Sequence, residues 1–274
     1  MKNAVLSTVA LLLSAAAAAQ TQTPIPSDAA KDIQINNQNP IKPDGAVPLR
    51  NEPHHVLVFQ NDYVHAFNVT VPPLDATLLH QHDVPYIYLT LGTTDIVNAV
   101  QGQSEVHMTL EDGATRYSPG GFAHIARTDA GILFHNITAE LEHAQASPHN
   151  LGDKANDRPL GSCPQSDAGP KQGDQVPFEH VIPCFETNEL RLDLVKVGGG
   201  KDFVQGSPDT AALLIAMSNA NLEVSLGGEN AAFLHGADVL WLPAGMARKV
   251  GDFLGAESKF LLLSFKDSGT TSVK

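Results

Sequence analysis

The chain has 274 residues, and its 17 Lys and Arg are outweighed by 30 Asp and Glu, giving a formal net charge of −13. That balance repels nucleic acid and anionic membrane, so neither is an expected partner. The length left after an export signal suits one large or two small domains.

Residues 1–19 read as a signal peptide. Lys2 gives a positive start, Val5 to Leu13 is an apolar run too short to span a bilayer, and Ala17-Ala18-Ala19 offers a cleavage site before Gln20. The mature chain is therefore expected in a bacterial periplasm or outside the cell. Cys163 and Cys184 are the only cysteines, and in an oxidising compartment they are expected to pair. Closing so short a loop would stabilise by about 3 kcal/mol if unstrained. Residues 20–50 are rich in Pro, Asn, Gln and Asp without an apolar period, and read as an extended tail or strap.

From residue 51 to 145 the texture changes. Short runs of Val, Ile, Leu, Phe, Tyr and Thr are broken by Pro-Pro, Leu-Gly, Asp-Gly and Pro-Gly-Gly. No helical period is sustained, so the class is all-β, with sandwich or barrel architecture. Residues 146–177 read as a linker, and strand texture resumes over 178–268.

An internal repeat organises these two regions. The run Phe59 to Val71 lies over Phe185 to Val197 without gaps, and Tyr86-Ile87-Tyr88-Leu89-Thr90 lies over Ala212-Leu213-Leu214-Ile215-Ala216 at the same shift. Two copies of one fold are the simplest cause. The polar positions have diverged: His80, His82 and His124 fall on Gly206, Pro208 and Arg248. Only the first copy could ligate a metal this way, and the second is expected to be a structural partner with an interior closed around Arg248.

The chemistry is carried by His80-Gln81-His82 and by Pro119-Gly120-Gly121-Phe122-Ala123-His124. On a strand, residues two apart share a face at about 7 Å, close enough for two imidazoles to reach one ion. The Pro-Gly-Gly turn would bring His124 up as a third ligand from a neighbouring strand. Other histidines have weaker claims: His135 could point inward as a substrate contact or be a hydrogen-bonded core histidine, and His54 and His55 read as surface.

These residues resemble the cupin superfamily, and the two copies resemble a bicupin. The family's first motif is partly matched by Leu74, His80, His82, Tyr86 and Gly92; the second is matched by Gly113, Pro119, Gly121 and His124, ending on Thr128 in place of Asn. The resemblance implies two tandem jelly-roll β-barrels with a metal site in the first. Where most metal cupins offer a glutamate, this chain has Tyr86, which could donate a hydrogen bond to substrate, ligate as phenolate or merely pack. If Tyr86 faces inward, alternation places Tyr88 and Thr90 in the cavity, with Ile87, Leu89 and Leu91 facing outward.

Three neutral imidazoles leave the charge of a divalent ion uncompensated, so a small anionic molecule is the expected ligand. Iron, zinc, manganese or nickel would each suit such a set. The expected function is a metal-dependent enzyme, dioxygenase-like by the family resemblance; the alternative is a non-catalytic small-molecule-binding protein. Beyond the small anion, the only partner anticipated is a second copy of the chain in a homodimer.

Overall fold

A computed structural model describes residues 45–164, 178–229, 231–254 and 257–266. The expected signal peptide and most of the extended segment lie outside the described residues. Among those residues there is no α-helix, only two three-residue 3₁₀ turns at Leu49–Asn51 and Ala155–Asp157. Everything else regular is strand.

The first barrel contains β1 (Val47–Pro48), β2 (His55–Gln60), β3 (Val64–Val71), β4 (His80–His82), β5 (Tyr86–Thr90), β6 (Thr94–Val100), β7 (Val106–Leu110), β8 (Thr115–Ser118), β9 (Phe122–Arg127) and β10 (Phe134–Leu141). They form two five-stranded sheets, β1-β4-β9-β6-β7 and β2-β3-β10-β5-β8. The chain then passes through β11 (His149–Asn150) to β12 (Phe178–Glu186), β13 (Leu190–Gly198), β14 (Phe203–Gln205), β15 (Ala211–Ala216), β16 (Asn221–Leu226), β17 (Ala232–His235), β18 (Val239–Leu242), β19 (Arg248–Asp252) and β20 (Glu257–Phe265). These make a six-stranded sheet, β11-β12-β13-β20-β15-β18, and a four-stranded one, β14-β19-β16-β17. The architecture is two tandem jelly-roll barrels.

The repeat read from the sequence survives in the pairing. β2 and β3 are joined with a bulge between Leu57 and Phe59, and β12 and β13 with a bulge between Pro183 and Phe185, the same two positions after the repeat shift. A bulge inserts one residue and bends its strand, so its retention in both copies marks a shared construction.

The two barrels meet sheet to sheet over one apolar core. Alternation sends Ile87 and Leu89 of β5 and Ile137, Ala139 and Leu141 of β10 outward, where they pack with Phe185, Leu192, Leu213 and Leu263 of the second barrel. Aromatic pairs cross the same boundary: Phe59 stacks on Trp241 at 5.8 Å and Tyr117 on Phe185 at 5.0 Å. The opposite face of each strand is thereby turned into its own barrel.

Residues 146–164 of the connecting segment form a built wedge. The Asn150 amide nitrogen donates to the carbonyls of Ala155, Arg158 and Pro159, and its oxygen accepts from Gly161 N–H. Tyr117 N–H of β8 donates to Leu160 O at 2.9 Å. Gly161 has φ +79°, and a Cβ there would stand 2.2 Å from the Tyr117 nitrogen, so glycine is required at this approach. Cys163 and Cys184 are joined as a disulfide, tying the wedge to β12. Cys163 N–H also donates to Thr115 Oγ1 of the first barrel.

A shared core predicts shared unfolding. Leu89 is 0 % exposed within the interface, so Leu89→Ala is expected to cost about 2–5 kcal/mol. It should lower one transition that reports both barrels. Two separate transitions in calorimetry, only one of them moved, would contradict a common core.

Candidate metal centre

Four imidazoles gather inside the first barrel. β4 contributes His80 and His82 on one face, β9 contributes His124 as the register partner of His80, and β2 contributes His55. The turn before β9 needs its glycines. Gly120 and Gly121 have φ of +69° and +80°, and a Cβ on Gly120 would lie 2.2 Å from the Val84 carbonyl oxygen. Gly121 N–H donates to His82 O at 2.7 Å, which locks the turn to the ligand strand.

Ring centroids lie 4.4 Å apart for His80 and His124, 4.7 Å for His55 and His80, and 5.2 Å for both His80–His82 and His82–His124. One ligating nitrogen from each of His55, His80 and His82 falls within 4.8 Å of the others. The Nε2 atoms of His82 and His124 are only 3.2 Å apart. His124 therefore joins from its own side, and the structure brings the three sequence-predicted histidines together.

Their orientation is fixed from behind. His80 Nδ1 lies 2.9 Å from Leu78 O, His124 Nδ1 2.6 Å from Asn98 Oδ1, and His55 Nδ1 2.5 Å from Glu52 Oε2. His82 Nδ1 faces Glu140 Oε1 at 3.4 Å. A carbonyl or ionised carboxylate only accepts, so in His55, His80 and His124 Nδ1 carries the proton and the Nε2 lone pair turns inward; His82 Nδ1 is buried without a hydrogen-bond partner. His80 Nε2 is buried without a partner among the described residues. His82 Nε2 and His124 Nε2 meet at 3.2 Å with the partnerless His80 Nε2 beside them, a cluster of neutral imidazole nitrogens that a divalent cation fits.

Electrostatics keep that set neutral. Burial, followed by the neighbouring His55, pushes His80 down to about 4. Burial and the adjacent imidazoles hold His82 and His124 well below the ordinary histidine range. Glu52 behaves oppositely: burial alone would raise it, but the hydrogen bonds from His55 and His54 prevail and bring it to about 2. The Glu52 carboxylate also accepts from Leu78 N–H at 3.1 Å. One buried anion thus holds His55 directly and His80 through the Leu78 peptide.

Tyr86 stacks on His82, with centroids 4.1 Å apart and planes at 23°. Its hydroxyl bonds to Ser118, and burial raises its pKa. Lying flat on the ring, Tyr86 fixes the plane of His82. Tyr88 and Thr90 share the inward face with their partners Thr138 and Asn136. They lie about 7 and 14 Å further along β5, and Tyr88 packs on the Val71, Ile96 and Phe134 cluster.

His135 takes the hydrogen-bonded alternative rather than the inward substrate contact: it has the outward parity of Ile137 and bonds to Asn68 Oδ1 at 2.8 Å. His55, expected at the surface, is buried beside His80 because its partner Val69 faces inward. Sequence reasoning also missed Glu52, Asn98 and Glu140. Asn98 left a signal, a carboxamide within the apolar run Ile96-Val97-Asn98-Ala99-Val100; Glu52 and His55 left none without the strand register.

In the second barrel Arg248 is 2% exposed, and a cavity of ≈ 370 Å³ lies beside Gln205 and Thr210 with none of Gly206, Pro208 and Arg248 in its wall.

Neutral buried histidines make acid stability a readout. Once unfolded, each takes a proton near pH 6.5, whereas folded His80 resists until about 4. The unfolded chain then binds more protons, so metal-free stability should fall as pH drops from about 6.5 towards 4. Urea midpoints across that range should show it, and His82→Leu should flatten the slope. A flat profile in the parent chain would contradict the buried, neutral cluster.

No family model matches the chain, and no curated protein matches it. Among solved structures, AerE from Microcystis aeruginosa is similar at TM-score 0.52 and 10% identity, over 78% of this chain and 98% of that one. A variant of the salicylate 1,2-dioxygenase of Pseudoaminobacter salicylatoxidans is similar at TM-score 0.50 and 11% identity, over 74% and 72%. A variant of the oxalate decarboxylase of B. subtilis is similar at TM-score 0.50 and 13% identity, over 78% and 72%. At such identities the likeness is one of fold, and that fold is the bicupin fold, two cupin barrels in tandem.

Proposed function

We propose that this chain is a metal-dependent cupin enzyme acting on a small anionic organic molecule in its first barrel. The observation that carries the reading is the gathering of four buried or half-buried imidazoles, with Nδ1 of His55, His80 and His124 each turned to an outer acceptor and their Nε2 inward. His80, His82 and His124 would hold the ion, with His55 as a fourth imidazole within reach. A divalent ion there would supply Lewis acidity, polarising an oxygen of the bound substrate.

The chain's own residues supply the rest. Neutral ligands add no negative charge, so an acid would be favoured over its amide. His80 and His82 are 1% and 2% exposed, whereas His124 is only partly enclosed, which supports approach from the β9 side. Asn98 holds the His124 proton, Tyr86 the plane of His82, and Glu52 the loop before β4. Such outer partners commonly govern metal affinity by ten- to a hundredfold. Work outside the cytoplasm is part of the proposal, supported by the first 19 residues and the Cys163–Cys184 pair.

A non-catalytic binding role has one observation in its favour: the near-complete enclosure of His80 and His82 leaves little room for two reactants. Activity separates the two. Elemental analysis of the purified chain should find one divalent ion, and His82→Ala should lose it. Equal metal in both would sink the ligand assignment. Asn98→Ala should weaken the ion ten- to a hundredfold by the same assay. Product formation or oxygen uptake with salicylate, oxalate and related acids, absent with their amides, would mark an enzyme. Tight acid binding without turnover would mark the binding protein.

A further inference from the structure

A second group of ligating side chains stands in the first barrel, apart from the imidazole cluster. Alternation puts Glu140 of β10 and Glu142, two residues on, on one face, and the register sets His65 of β3 directly opposite Glu140. Glu142 N–H donates to Tyr63 O at 3.0 Å, which carries the pairing one residue past the end of β10. One ligating atom from each of His65, Glu140 and Glu142 lies within 4.8 Å of the other two. His65 Nδ1 and Glu142 Oε1 are in direct contact.

Glu140 is the member that lacks an answer. It is 7% exposed and takes no hydrogen bond among the described residues; even His82 Nδ1, 3.4 Å away, is without a hydrogen-bond partner. A buried carboxylate so placed is costly. The side chains of His65 and Glu142 beside it are 19% and 28% exposed, so an ion can arrive from solvent on their side. No lysine or arginine forms an ion pair with either glutamate among the described residues. Arg50 is exposed, donates to Gln60 Oε1 at 3.1 Å and meets the group at His65, with Nη2 3.0 Å from Nδ1. An ion taking a His65 lone pair would displace that surface contact and no salt bridge.

Two carboxylates cancel the charge of a divalent ion. With one imidazole they make a mixed oxygen and nitrogen set, harder than the all-nitrogen cluster around His80 and within the range that manganese accepts. The second copy has no such set, because Arg191 and Ser264 are partners there as His65 and Glu140 are here.

We propose that His65, Glu140 and Glu142 form a second divalent-metal site, oxygen-rich and suited to manganese, whose ion exchanges with solvent. The enclosed imidazole cluster keeps its ion through purification, whereas this more open site fills when manganese is supplied.

Calorimetric titration of manganese(II) chloride into the purified full-length chain and its variants tests the proposal. The parent and His82→Ala should each take up one manganese ion per chain with similar affinity. Glu142→Gln and Glu140→Gln should bind it at least about tenfold more weakly, since outer partners alone commonly govern affinity by that much and these are ligands. Glu142→Gln should still carry the parent's metal content as purified. Arg50→Met, without the competing cation, should bind manganese more tightly than the parent. Absence of saturable uptake by the parent would overturn the proposal, as would undiminished uptake by both glutamine variants. If Glu140→Gln fails to fold, Glu142→Gln, at the more exposed position, decides the matter alone. Uptake lost in His82→Ala and kept in Glu142→Gln would assign the ion to the imidazoles, refuting this site while leaving the proposed function intact. A parent that purifies without metal, yet takes up manganese through Glu142, would do the reverse.

Discussion

The molecule depends on the two-sidedness of β5 and β10. Each strand sends one parity of side chains into the core between the barrels and the other parity into the first barrel. Ile87, Leu89, Ile137, Ala139 and Leu141 anchor the interface, while Tyr86, Tyr88, Asn136, Thr138 and Glu140 line the interior. A slip of one residue would exchange the sets, exposing apolar groups to the site and burying polar ones between the barrels. The apolar contact that holds the barrels together therefore also sets the register of the groups behind His82, namely Tyr86 on its face and Glu140 at its Nδ1.

At the histidines the governing constraint is that inward lone pairs need outward protons. Leu78 O, Asn98 and Glu52 each take an Nδ1, while His80 Nε2 and His82 Nδ1 stay buried and unpaired. Such a set is poor for an empty apolar interior, since desolvated imidazole nitrogens without partners gain nothing. It suits a cation. The ionised Glu52 sits behind His55 rather than among the Nε2 atoms. It thus contributes negative charge at the rim without occupying a coordination position.

Much of the fold was legible because its signals are local or periodic. Turn residues at short spacing, strand texture and a gapless repeat gave two β-barrels, and the repeat even carries its bulge. His80, His82 and His124 were legible because a two-residue spacing and a Pro-Gly-Gly turn are themselves geometric statements. His55 and Glu52 were not, because what makes them central is the pairing of His55 with Val69 across two strands, which no run of adjacent residues encodes. His135 stayed open between two faces for the same reason: a histidine in an apolar run has a definite face only once its strand is phased. The wedge over residues 146–164 read as linker because its order comes from one asparagine meeting three carbonyls, a tertiary arrangement with loop composition.

The two barrels show how one backbone position carries different chemistry once its charge changes. His124 and Arg248 occupy repeated positions at the start of neighbouring-type strands, both turned inward and both held by a single oxygen, Asn98 Oδ1 in one case and Thr210 O in the other. A neutral imidazole offers a lone pair and so calls for a cation. A guanidinium offers only donors and so calls for an anion. The register partner of Arg248 is Gln205, as His80 is of His124, so the guanidinium stands beside a carboxamide where the first barrel sets a second imidazole. The reversal of charge preference thus follows from substitutions at paired positions rather than from any change of fold.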